Sequence, residues 1–152
     1  MPDAGAVWVL LPAYRESENL PPLLADLRET FATWPGASPP STRDGAGTKA
    51  GAPPPWFLVV VDDGSGDATA DSARSVGGLP LTLLVHPENR GLGAAMRTGI
   101  EHVLAHGHDD DVLVTMDADH THPPEGIPAM VARVRRGAVS YTHLTLPTIL
   151  RV

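Results

Sequence analysis

Four short apolar runs recur along the chain: AVWVLL at 6–11, WFLVVV at 56–61, LTLLV at 81–85 and DVLVTM at 111–116. Each is rich in Val and Leu without polar alternation, the pattern of strands buried on both faces of a parallel sheet. Between them the period becomes helical. Leu20, Leu23, Leu24, Leu27 and Phe31 follow the i, i+3, i+4, i+7 rule and predict a helix with one apolar stripe. Pro21 and Pro22 fit only its first turn, where an N–H has no partner to lose. Asp67 reads as the N-cap of a second helix, ATADSARSV. A third is predicted from about Gly93 to Ala105, with Met96, Ile100, Val103 and Leu104 inward. A fourth, from about Pro124 to Arg136, buries Ile127, Met130, Val131 and Val134. Strand and helix alternate throughout, so the expected fold is α/β, an open, doubly wound, mostly parallel sheet with a Rossmann-like nucleotide-binding half.

Two stretches break the pattern. Residues 34–55, WPGASPPSTRDGAGTKAGAPPP, are too poor in apolar side chains to pack and read as a disordered surface insertion. Residues 139–152, VSYTHLTLPTILRV, depart abruptly from what precedes them. They are expected to be a non-native tail, with native sequence ending near Ala138.

Composition narrows the function classes. The 152 residues suit one domain, and 42% are hydrophobic, enough for a real core. Lys and Arg number 11 against 18 Asp and Glu, with no basic patch, so nucleic acid is not an expected partner. There are no cysteines, which excludes disulfides and thiolate metal sites. The start has no basic n-region, and the apolar runs fall far short of the roughly 20 residues of a membrane helix. A cytoplasmic protein is expected.

Ligands of open α/β sheets bind outside the carboxyl ends of the strands. After the first strand comes PAYRESEN, after the second DDGSGDAT, after the third HPENRGLGAAMRTG and after the fourth DADHTHPP. Acids follow these strands and are expected to converge on one rim. Asp117 and Asp119, one alanine apart, raise each other's pKa unless a cation sits between them.

LPAYRESENLPPLL, VVVDDGSGDATAD, NRGLGAAMRTGI and MDADHTHPPEGIPAMV resemble the successive motifs of family 2 glycosyltransferases with the GT-A fold. The nearest branch is that of the dolichyl- and polyprenyl-phosphate mannosyl- and glucosyltransferases. The resemblance covers residues 7 to about 137. It implies a base and ribose pocket shaped by Pro12, Tyr14 and Glu16 together with Val61 and Asp63, with Asp63 meeting the base. It implies a DxD-type motif in Asp117, Ala118 and Asp119, with Asp119 the foremost metal ligand and Asp117 and Thr121 beside it. Mg²⁺ or Mn²⁺ would bridge to the donor diphosphate. The implied activity is inverting, metal-dependent transfer of a hexose to a lipid phosphate at the membrane surface, the longer parent being peripheral at the cytoplasmic face. Mannose from GDP-mannose is the first expectation and glucose from a UDP donor the second. A chain ending near Ala138 would lack the acceptor half and would bind donor weakly without turnover.

Other readings of these residues exist. DADHT satisfies the DxDxT string of haloacid dehalogenase-type phosphatases, with Asp117 as nucleophile, but that motif opens its domain whereas this one closes the fourth strand. Asp119, His120 and His122 could ligate zinc, although alternate loop residues rarely face one ion. RGLGAAMRTG imitates part of the dinucleotide fingerprint, but Met96 occupies its third glycine. Gly91 and Gly93 more readily allow a tight turn near the donor, with Arg90 as a phosphate contact. His102 and His106, spaced i, i+4, suit a helix end where a cationic His meets the dipole. Asp109 to Asp111 read as a solvated turn. A non-catalytic nucleotide-sugar-binding module is the remaining alternative.

Overall fold

The computed structural model describes residues 5–34, 55–137, 140–143 and 146–152. The insertion predicted at 34–55 lies outside the described residues apart from its two ends. The elements run β1 (Val7–Ala13), α1 (Leu20–Thr33), β2 (Trp56–Asp62), α2 (Thr69–Ser75), β3 (Leu81–Val85), α3 (Leu92–His106) and β4 (Val112–Thr115). A 3₁₀ turn (Pro124–Gly126) then leads into α4 (Ile127–Arg135), and β5 (Ser140–His143) and β6 (Leu146–Arg151) follow. The sheet order is β3-β2-β1-β4-β6-β5. Its first four strands are parallel, and β6 pairs antiparallel with β4. The expected doubly wound, mostly parallel sheet is therefore the observed one. The segment read as a non-native tail contributes backbone to both antiparallel strands, with Leu113 opposite Leu150.

The two faces of the sheet are buried separately. Val7, Val9 and Leu11 pack with Leu58, Val60 and Val114 against α1 and α4, whereas Trp8 and Leu10 pack with Val59 and Val61 against α3. This alternation along one strand explains a run with no polar residue. Gly99 lets α3 approach closely, since a Cβ there would lie 2.2 Å from Leu10 Cδ1.

Several expectations need correction. β3 is an edge strand, half-buried along its length, with Val85 exposed, because only β2 pairs with it. Of the four α3 residues expected inward, Val103 is buried and Met96 and Ile100 pack partly buried against the same core, but Leu104 is exposed, and Ala95 and Gly99 are buried as well. Asp67 sits one residue before the N-cap Ala68, and its carboxylate still accepts the Thr69 N–H at 2.8 Å. Burial, and then repulsion from His106, lowers the pKa of His102, so the helix end does not favour its cation. Asp111 is not in a solvated turn. It is 1% exposed and accepts the Ala6 N–H at 2.7 Å, Trp8 Nε1–H at 2.8 Å and the His108 N–H at 3.0 Å. That carboxylate ties the amino ends of β1 and β4 together, at the edge remote from the loops described next.

Candidate functional site

The strand order reverses between β1, which pairs with β2 on one side, and β4 on the other. Such a switch point opens a crevice at the carboxyl edge. Register places Ala13, Asp62 and Val85 level there, and the ladder continues as Asp63 N–H donates to Ala13 O at 2.9 Å and His86 N–H to Asp62 O at 2.8 Å.

The loop after β2 organises its neighbours. Asp62, buried, accepts the Ser65 N–H at 3.1 Å and the Ser65 hydroxyl at 2.5 Å. Ser65 Oγ in turn accepts the Arg15 N–H at 2.9 Å, and Thr69 Oγ1 accepts the Glu16 N–H at 3.1 Å. These bonds pin the loop after β1 in a turn where Arg15 takes φ 56°, a left-handed backbone unusual for its residue type. Tyr14 is thereby left at the surface with the Arg15 guanidinium 5.1 Å from its ring centroid. Gly64 meets two demands at once: φ is 65°, and a Cβ would stand 2.1 Å from the backbone carbon of Glu88.

Asp63 is 2% exposed. Its Oδ1 faces His86 Nδ1 at 2.7 Å and accepts the Arg90 N–H at 3.0 Å, while Oδ2 accepts the Gly91 N–H at 2.8 Å. Burial pushes its pKa up, but the hydrogen bonds from His86, Arg90 and Gly91 outweigh burial and hold the carboxyl below its ordinary value. His86 Nε2 lies 2.8 Å from Thr98 Oγ1 on α3.

Beside Asp63 opens a cleft of about 210 Å³ lined by Pro12, Ala13, Tyr14, Asn89, Gly91, Leu92 and Ala95. Its wall is mainly apolar, and Leu92 in it is 64% exposed. Of the residues expected to shape a base pocket, Pro12, Tyr14 and Asp63 line this cleft. Val61 does not, since its side chain is wholly buried against α3. Glu16 lies outside too, its carboxylate accepting from Asn19 Nδ2 at 2.7 Å. Gly91 lines the wall and Gly93 does not. Arg90 contributes its backbone N–H to Asp63 instead of a lining side chain.

The loop after β4 has a different character. Asp117 and Asp119 are exposed and Ala118 is buried in the core between them. Asp119 Oδ1 accepts the Thr121 N–H at 3.0 Å and the Thr121 hydroxyl at 2.6 Å. The Thr121 hydroxyl bond leads in lowering the Asp119 pKa, outweighing burial, with the Thr121 N–H and nearby His122 adding to it. The upward shift expected for Asp119 from its acidic neighbour is thus reversed locally. His120 adopts φ 62° and turns its ring away to Asp26 of α1, Nε2 to Oδ2 being 2.6 Å. This contact removes His120 from the zinc arrangement considered above. Among the described residues no group of three or more His, Cys, Asp or Glu is placed to hold a metal ion, so the acids share an edge without converging into a cage. Asp119, held ionised and exposed, still suits a hard cation that takes its remaining ligands from a diphosphate and water, as Mg²⁺ commonly does. Sequence reasoning passed over His86, Thr98, Asn89 and Leu92. The available signal was position alone, immediately after β3 and on the first turns of α3.

Comparison with known proteins gives a consistent picture. The profile of the family described as Glycosyl transferase family 2 matches residues 8–148. The undecaprenyl-phosphate 4-deoxy-4-formamido-L-arabinose transferase of Pseudomonas fluorescens (strain Pf0-1) is 34% identical over 134 residues, covering 86% of this chain and 33% of that protein. The protein of the same name from Salmonella paratyphi A is 31% identical over 135 residues, covering 86% and 34%. This chain thus spans about a third of the length of the curated relatives it matches. Among solved structures, a mannosyltransferase from Pyrobaculum calidifontis in complex with GDP-Man and Mn²⁺ superposes with a TM-score of 0.63 at 25% identity, covering 91% of this chain and 35% of that one. Glucosyl-3-phosphoglycerate synthase from Mycobacterium tuberculosis, at 18% identity and a TM-score of 0.57, covers 89% and 40% and shares the fold.

Proposed function

Because the chain belongs to glycosyl transferase family 2, we propose that its carboxyl-edge cleft binds the nucleotide of a sugar-nucleotide donor, and that the activity served is glycosyl transfer to a polyprenyl phosphate. The cleft carries this reading: Pro12, Tyr14 and Leu92 offer apolar faces to a base, and the Asp63 carboxylate stands in its wall. Such sites are concave and mostly apolar, with few polar groups fixing orientation. The exposed, ionised Asp119 at the next strand end is where the diphosphate of a donor seated there would need a counter-charge.

Asp119, with Asp117 and Thr121 beside it, would hold Mg²⁺ or Mn²⁺. When bound, that ion neutralises charge on the departing nucleoside diphosphate. The Pyrobaculum relative was solved with Mn²⁺, which supports that choice. The remaining chemistry asks little of the protein. A phosphate oxygen of the lipid, already anionic, forms the new bond to the anomeric carbon from the face opposite the nucleotide as the bond to the diphosphate breaks. The configuration inverts, and no general base is required.

The polyprenyl acceptor is supported by the undecaprenyl-phosphate transferases at 31–34% identity. An acceptor of that kind would lie at a membrane surface; no described helix is long and apolar enough to cross a membrane. The mannosyl donor expected from the sequence has the GDP-Man complex behind it, whereas the curated relatives are named for a modified arabinose, a pentose. Donor binding is the share of the activity that the described residues carry. Calorimetric titration of nucleoside diphosphates with and without Mn²⁺ tests it: binding strengthened by Mn²⁺ is expected, and failure of every nucleotide to bind would sink the reading.

A further inference from the structure

A carboxylate can accept about four hydrogen bonds, two on each oxygen. At Asp63 three are already taken from within the fold. Oδ1 is occupied by His86 Nδ1 and the Arg90 N–H, and Oδ2 by the Gly91 N–H. One acceptor position remains, on Oδ2, in a buried residue that lines the cleft.

Nucleobases differ in what they present to such a group. Guanine offers two donors side by side, the ring N1–H and the exocyclic N2 amino group, and a matching carboxylate must give one oxygen to each. Uracil offers a single ring N–H between two carbonyls. A buried donor left without a partner costs enough to lower affinity by roughly tenfold or more.

The state of Asp63 depends on His86. His86 is buried, its backbone N–H donating to Asp62 O at 2.8 Å, and its ring is fixed at the far side by Thr98 Oγ1, 2.8 Å from Nε2. With Nδ1 paired to Asp63 and Nε2 to the Thr98 hydroxyl, the ring has both partners and cannot swing away without losing them.

Resting on the nucleotide-sugar reading above, we propose that His86 is a positioning residue that holds Asp63 as a one-donor acceptor, so that the cleft takes uracil in preference to guanine. The side-chain amide of Asn89, on the same wall, is the group available to a uracil carbonyl. This departs from the guanine donor first expected.

The test is binding of UDP and GDP to the 152-residue chain in Mg²⁺, read by calorimetry. UDP is expected to bind at least about tenfold more tightly than GDP. His86→Leu frees Oδ1, and the preference should narrow to within about threefold, chiefly by a gain for GDP. His86→Asn carries an amide N–H where Nδ1–H stood and should restore the preference. Thr98→Val, which frees the ring without removing it, should narrow the preference by a smaller factor and serves if the leucine variant does not fold. A merely structural role would weaken both nucleotides alike and leave their ratio unchanged, and that result in His86→Leu or Thr98→Val overturns the proposal. Equal or tighter binding of GDP by the wild type overturns it while leaving the donor site intact. Failure of both nucleotides to bind removes the donor reading and this proposal together.

Discussion

VDDGS at 61–65 and MDADH at 116–120 look alike in sequence: each is an apolar strand end followed by two acids. In space they are opposites. Asp62 and Asp63 are 3% and 2% exposed and spend their oxygens on Ser65, His86 and the N–H groups of the β3–α3 loop. Asp117 and Asp119 stand in solvent, and Asp119 accepts hydrogen bonds from Thr121 within its own turn. The first pair builds the cleft wall; the second leaves charge available to a ligand. An acid at a strand end therefore says that the edge is polar, and burial decides whether the acid is scaffold or contact.

The largest separation between the pairs should appear in stability. Asp63→Leu strands the donors of His86, Arg90 and Gly91 in a dry site, and a loss of about 3 kcal/mol or more in chemical denaturation is expected. Asp117→Leu, at an exposed position, should stay within about 0.5 kcal/mol. Equal losses would break the distinction.

Ligand binding should reverse the ranking. Asp119→Asn is expected to cost about tenfold or more in Mn²⁺-dependent nucleotide binding, the scale seen when a metal site is disturbed, while the denaturation midpoint barely moves. A midpoint shift as large as that of Asp63→Leu would make Asp119 scaffold as well.

Gly64→Ala follows in size. The positive φ and the close approach to Glu88 together predict a loss of about 2 kcal/mol, visible as a lowered thermal midpoint. No such loss would mean that the β2 loop yields more readily than its hydrogen bonds suggest.

The smallest effect is acid sensitivity. The folded pKa of Asp63 lies below its ordinary value of 3.8, so its stabilising contribution is complete above 3.8 and fades as pH falls towards the folded value. Stability should decline with that slope in the wild type, and Asp63→Asn, with nothing to titrate there, should show a flatter profile.

Sequence by itself determined the layers. Unbroken Val and Leu runs read as strands because both faces of the sheet are covered, and the stripe of Leu20, Leu23, Leu24, Leu27 and Phe31 read as a helix because its side chains face one core. It also marked the carboxyl edge as the polar edge of the sheet, since acids and glycines follow those strands. It could not tell Asp63 from Asp119, nor Asp111 from a solvated turn, because a carboxylate's burial depends on donors contributed by remote segments. Ala6 and Trp8 lie more than a hundred residues from Asp111, and Arg90 and Gly91 reach Asp63 from another loop. Periodicity records which face of an element is covered, whereas only the tertiary structure decides which polar atoms meet, and at this edge those meetings divide the acids that build the site from the acids that can hold a ligand.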